Sequence, residues 1–245
     1  MIKLVLLLLM AVTGLTWASS SYISYHPGTL PIILGAPHGG SLRPSSIQSR
    51  TDGCMIGGRC VWRHNCGVQS SYYTPPDGCK ASLYAESHTK NITLLIREEL
   101  YKLYGEYPHV IINELHRTKL DANRDKDEAT LGDPKSEEAF DLYHRYINQS
   151  KAAINAPALY LDIHGHTHKL QYAELGYLVF RIQLNSGSYQ ASDSSIKQLA
   201  LRSPLSIKQL IYGPHSFGTI LESFGYDSIP SSSKPNPGSN SYFTG

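Results

Sequence analysis

Two histidines follow short apolar runs. His38 comes after Leu30-Pro31-Ile32-Ile33-Leu34-Gly35, and His164 ends the run Ala158-Leu159-Tyr160-Leu161-Asp162-Ile163. A histidine directly after a buried strand is rigidly held, as a metal ligand has to be. Two imidazoles leave a divalent ion in need of a third donor and an open position for water. Glu86 is the best third donor, with His88 as the alternative; a helix-start acid favoured by the helix dipole is the competing reading of Glu86. Asp162 either orients the His164 ring or is a buried hydrogen-bond acceptor. Two imidazoles and a carboxylate suit Zn2+. Arg117, Asn123 and Arg124 add a second chemistry. A guanidinium pairs bidentately with carboxylate, so arginines beside a metal imply an anionic substrate, unless they serve as surface salt bridges to Asp121, Asp125 or Asp127.

These residues sit where short strands end. The run before His38 reads as a strand breaking at Ala36-Pro37-His38-Gly39-Gly40. His109-Val110-Ile111-Ile112-Asn113 reads as a second strand, with Arg117 to Arg124 in the polar segment after it. The third strand ends at His164, and Tyr177–Ile182 reads as a fourth. Ile92, Leu95, Ile96, Leu100 and Leu103 fall at helical spacing, which puts Asn91 on a polar face with Glu98 and Lys102. Pro134–Ile154 reads as a helix with Glu137 and Glu138 in its first turns, and two or three short helices are expected within Ser194–Phe224. Strands alternating with helices indicate an α/β layered fold with a mixed or largely parallel sheet. In such folds ligands bind beyond the carboxyl ends of the strands, where His38, Arg117–Arg124 and His164 gather.

The chain has 245 residues, with 22 Lys+Arg against 20 Asp+Glu. This near-balance lacks the clustered basic charge that phosphate binding needs, so no nucleic-acid partner is expected. Met1–Ala18 carries Lys3, an apolar stretch Leu4–Val12 and small residues at Thr16-x-Ala18, the three parts of a secretory signal. It is too short to span a bilayer, so the mature chain, residues 19–245, is expected to be secreted, extracellular and without a membrane span. Cys54, Cys60, Cys66 and Cys79 all lie in a Gly-rich stretch at about 50–80. In a secreted protein they suggest two disulfides, three pairings being open, and the CxxC spacing of a zinc-thiolate site is missing. Asn91-Ile92-Thr93 and Asn148-Gln149-Ser150 are glycosylation sequons that fit the same compartment.

Four stretches together resemble the N-formylglutamate amidohydrolase family, whose fold is similar to that of the zinc carboxypeptidases. They are Ala36-Pro37-His38-Gly39-Gly40, Glu86-Ser87-His88-Thr89, Leu115–Asp125 with its Arg117 and Asp121-Ala122-Asn123-Arg124, and Leu161-Asp162-Ile163-His164. The resemblance covers residues 31–245 and implies a single three-layer α/β/α domain. It places His38, Glu86 and His164 as metal ligands, Asn123 and Arg124 on the substrate carboxylate, and Arg117 as a catalytic residue near the scissile carbonyl. The implied reaction is metal-dependent hydrolysis of an N-formyl or N-acyl amide on an acidic amino acid such as glutamate.

The family's late strand carries a general-base glutamate after a Gly-Gly-Tyr-Ile-like segment. Here Tyr242-Phe243-Thr244-Gly245 stands where that segment would begin, and Glu222 does not match the base. The expectation is therefore a chain lacking the family's C-terminal end, or a weak relative. Two other functions compete. A binuclear metallophosphoesterase would need a Gly-Asn-His element that is absent. An inactive secreted metal-binding or matrix protein of the same fold would account for the missing base.

Overall fold

The computed structural model describes residues 22–64, 79–243 and 245. Met1–Ala18, the expected signal segment, and Cys66 lie outside them. The chain divides into two compact units, residues 1–166 and 167–245.

In chain order the first unit contains β1 (Ile23–His26), β2 (Ile32–Ala36), β3 (Cys54–Ile56), β4 (Arg59–Val61), α1 (Thr89–Tyr104), β5 (His109–Asn113), α2 (Lys126–Thr130), α3 (Pro134–Ala153) and β6 (Leu159–Asp162). Four strands form one mixed sheet in the order β1-β5-β2-β6, with β1 antiparallel and the rest parallel. The fold is thus mixed α/β, as the alternation of elements implies. β1 was not expected. Its four residues show no alternation to read, and only Ile23 is fully buried.

The sheet is covered on both faces because successive side chains of a strand point opposite ways. Ile33 and Ile111 join Leu142, Tyr143 and Ile147 of α3 in one cluster, and Leu34, Val110 and Ile112 join Leu94, Ile96 and Leu100 of α1 in another. Helix α1 therefore buries only part of the stripe its apolar spacing suggests: Ile96 and Leu100 pack inward, while Ile92, Leu95 and Leu103 are exposed. Asp133 caps α3 by accepting from the amides of Lys135 and Ser136, with Pro134 at the first helical position. Gly105, at φ 72°, ends α1.

Asn91 and Asn148 are exposed on α1 and α3, as the sequon reading requires. Their hydroxyl partners are not. Thr93 and Ser150 are fully buried, and their side-chain oxygens donate back to the carbonyls of Thr89 and Tyr146.

β3 and β4 form a hairpin whose two-residue loop, Gly57-Gly58, has positive φ at both positions, the twist-matched turn that glycine allows. Cys60 is bridged to Cys79, Cys54 is also disulfide-bonded, and both Cys54 and Cys79 are buried. A disulfide is consistent with an extracellular protein. Among the described residues no helix is long and apolar enough to cross a membrane.

The second unit holds β7 (Ala173–Glu174), α4 (Arg181–Ser186), α5 (Lys197–Arg202), α6 (Ile207–Tyr212), α7 (Phe217–Ser223) and β8 (Ser228–Ile229), with β7 and β8 parallel. The three helices of Ser194–Phe224 match the expectation; the fourth strand at Tyr177–Ile182 does not form. Leu178 takes φ 59°, Val179 alone is fully buried there, and α4 begins at Arg181. Val179, Leu184, Tyr189, Ile211, Ile229 and Phe243 make this unit's core.

Candidate metal centre

The parallel strands β2 and β6 are neighbours in register, Gly35 opposite Asp162. Consequently the residues just beyond their carboxyl ends, His38 and His164, come together, with ring centroids 5.0 Å apart. Glu86 arrives from the loop before α1 and is fixed by its own amide, which donates to the His38 carbonyl at 3.1 Å. Its Oε1 lies 2.8 Å from His38 Nδ1 and its Oε2 lies 3.0 Å from His164 Nδ1. The three donor atoms all fall within 4.8 Å of one another. Glu86, not His88, completes the group. His88 is the residue before α1, in the left-handed conformation at φ 71°.

Each ring has its far nitrogen engaged. His38 is buried and its Nε2 lies 2.6 Å from Asp121 Oδ1. With Glu86 ionised and no cation bound, Nδ1 donates to Oε1 while Nε2 donates to Asp121; the Nε2 proton is the one Asp121 keeps when a cation takes the place of the other, the arrangement that prepares an imidazole for a metal. His164 Nε2 lies 3.3 Å from the Asn123 side-chain amide. Asn123 Nδ2 faces that nitrogen and donates to it, so the ring proton sits on Nδ1, which donates to Glu86 Oε2 and would be displaced by a cation there. Asp162 does not orient His164; its Oδ1 accepts from the Tyr160 hydroxyl at 2.6 Å. Of the two readings of Asp162, the hydrogen-bond acceptor holds, but the residue is exposed, not buried. Tyr160, Asp162 and Tyr143 crowd the α-carbon of Gly35, where an added methyl would stand 2.1 Å from Asp162 Oδ1.

The electrostatics follow from this packing. Burial alone would raise the Glu86 carboxyl, but hydrogen bonds from His164 and His38 and their charges outweigh it and hold it far below the ordinary range. Asp121 behaves the same way: burial opposes ionisation, and the His38 hydrogen bond with the Arg117 cation overrides it. For His38 burial disfavours the charged ring, yet the bonds to Asp121 and Glu86 raise its pKa. Two anions and two imidazoles, running from buried Asp121 and His38 through half-buried Glu86 to exposed His164, form a charged cluster that a divalent cation would neutralise.

Arg117 lies between the two carboxylates, with Nε donating to Asp121 Oδ2 at 2.8 Å and Nη1 reaching Glu86 Oε1 at 3.5 Å. Its ion pair with Asp121 is therefore interior, not a surface bridge. Arg124 is partly exposed, pairs with Glu128 at 3.4 Å, and donates to the Asn123 carbonyl. Asn123, Arg124, Glu128 and His144 line a cavity of about 390 Å³ beside this loop. A larger cavity, about 710 Å³, lies between Trp62, His64 and Asp133 and contains none of the residues above.

Asp121 is the main residue the sequence reading missed as a partner for His38. Its signal was present in the Asp121-Ala122-Asn123-Arg124 run, where it was weighed only as a salt-bridge acceptor. Glu222, in the second unit, accepts from the Ser231 and Ser233 hydroxyls. Comparison with known proteins finds no matching family model, no matching curated protein and no matching solved structure.

Proposed function

We propose that this chain is a secreted, zinc-dependent hydrolase of the amide on a small acidic amino-acid derivative, built on the three-layer zinc carboxypeptidase-like fold that its motifs resemble. The observation carrying this reading is the convergence of His38 Nδ1, Glu86 and His164 Nδ1 within 4.8 Å, with Asp121 oriented behind the first ring. When bound, zinc supplies Lewis acidity and lowers the pKa of a water. The chain's own residues do the rest. Asp121 holds the His38 imidazole in the ligating tautomer, and the Asn123 side chain meets the far nitrogen of His164. Arg117 holds positive charge beside the ligand carboxylate, where an oxyanion would form. Asn123 and Arg124 present an amide and a guanidinium to the open cavity, the pair that would take the substrate's carboxylate; Glu128 must release Arg124 for a bidentate grip.

The test is metal content and turnover together. Purified wild-type chain should take up one zinc and hydrolyse N-formyl-glutamate, and His164→Ala should lose both while keeping the circular dichroism of the folded chain. Zinc content unchanged in His164→Ala would refute the ligand set. Tight zinc binding without turnover would support instead the metal-binding protein of the same fold.

A further inference from the structure

We infer that Arg50 is a positioning residue of the metal centre, a buried guanidinium that fixes Asp121 and Arg117 and, through Asp121, the Nδ1 lone pair of His38. The inference rests on the metal reading proposed above.

Arg50 lies in the irregular segment before β3 and is among the largest fully enclosed side chains of the protein, 2% exposed. Its amide donates to the Thr118 carbonyl at 2.7 Å. Its Nη1 donates to the Arg117 carbonyl at 2.9 Å and the Ser82 carbonyl at 3.1 Å, and its Nε to the Glu128 carbonyl at 3.0 Å. One side chain thus ties together the run leading to Glu86, the turn that carries Arg117, and α2. It also lies 3.7 Å from Asp121 Oδ2, the oxygen that already accepts from Arg117 Nε.

Two cations on Oδ2 give the Asp121 carboxylate a direction. Oδ1 is left for His38 Nε2 and the Asn123 main-chain amide, so the carboxylate orients the His38 ring and anchors the residue whose side chain meets His164. A role confined to packing would not require a cation here. Buried charges are commonly replaced by apolar residues of similar volume at little cost to the fold, and Arg50 Nη2 has no hydrogen-bond partner among the described residues, an orphan donor that folding alone would select against. Nothing in the motifs draws attention to this arginine; only its contacts do.

The test compares Arg50→Lys, which keeps the charge without the fork, and Arg50→Met, which keeps the stem without the charge. The control is Leu142→Ala, which weakens the α3 core without touching the site. Zinc affinity is measured on the full chain by chelator competition, and ligand geometry by the visible spectrum of the cobalt-substituted protein. Loss of an outer partner of a metal ligand costs about 10–100-fold in affinity. The expected result is a loss in that range for Arg50→Met with an altered cobalt spectrum, partial recovery in Arg50→Lys, and wild-type affinity and spectrum in Leu142→Ala. The inference is overturned if both Arg50 variants keep the wild-type affinity and spectrum. It is equally overturned if Leu142→Ala loses as much affinity as Arg50→Met, or if neither Arg50 variant folds in the presence of zinc, since the guanidinium then serves the fold. A wild-type chain that binds no zinc removes the metal reading itself; zinc binding indifferent to Arg50 removes this inference alone.

Discussion

Asp121→Asn changes one oxygen to a nitrogen, and the geometry dictates where that nitrogen goes. Oδ2 faces Arg117 Nε at 2.8 Å and Arg50 Nη1 at 3.7 Å, both cationic donors. An amide NH₂ on that side would oppose two cationic donors, against one neutral main-chain amide, that of Asn123 at 3.1 Å, on the other, so it turns toward His38 Nε2, now 2.6 Å from Oδ1. His38 must then accept at Nε2, its proton stays on Nδ1, and no lone pair is left there for a cation. The same substitution also removes an anion from two guanidinium groups. Zinc affinity should fall by about 10–100-fold, which is about 1.4–2.7 kcal/mol. Stability of the metal-free chain should fall by about 3 kcal/mol, the low end for breaking a buried ion pair, because an acceptor oxygen remains. Chelator competition under conditions where circular dichroism shows the variant folded measures the first, and urea unfolding the second. Wild-type zinc affinity in Asp121→Asn, alongside abolished binding in His164→Ala, would refute the tautomer argument.

Two further outcomes concern the scaffold. Gly35→Ala sets a methyl against the Asp162 carboxylate and the hydroxyls of Tyr160 and Tyr143, so urea unfolding should show a loss of about 1–3 kcal/mol, the usual cost of overpacking. Asp133→Ala removes the α3 cap and the acceptor for the Gln48 amide, costing about 1–2 kcal/mol. Burial opposes ionisation of Asp133, but the amides of Gln48, Ser136 and Lys135 outweigh it and lower its pKa. A carboxyl lowered on folding stabilises fully above its unfolded pKa and loses that contribution as pH falls through the native value. The gap between wild type and variant should therefore be constant above about pH 5 and close toward strong acid. A gap that widens on acidification would contradict the assignment.

How much of this was legible without coordinates depended on the physical signal at each place. β5 is a run of β-branched residues bounded by Pro108 and a polar segment, and it forms where the pattern put it. α3 announces itself by Asp133-Pro134 and ends within a residue of the expected bound. The apolar run Tyr177–Ile182 misled because hydrophobicity without alternation does not distinguish a strand from a loop entering a helix; Phe180 and Ile182 are exposed. Helix α1 misled differently, since its face was read from the apolar residues and its buried stripe includes Thr89 and Thr93. The meeting of His38 and His164 was readable because both imidazoles stand just past strand ends, and Glu86 joins them from the loop before α1. Asp121 and Arg50 were not readable in those roles, because which carboxylate meets which imidazole is decided by the turn Leu115–Asp121, whose hydrogen bonds no local spacing encodes.

The enclosed hydroxyls of Thr93 and Ser150 carry a consequence for the life history of the chain. A sugar transferase that reads Asn-x-Ser/Thr has to reach the third residue as well as the first, and winding α1 and α3 hides it behind a main-chain oxygen. In the folded chain neither sequon presents both of its residues, so any transfer to Asn91 or Asn148 has to precede the winding of α1 and α3.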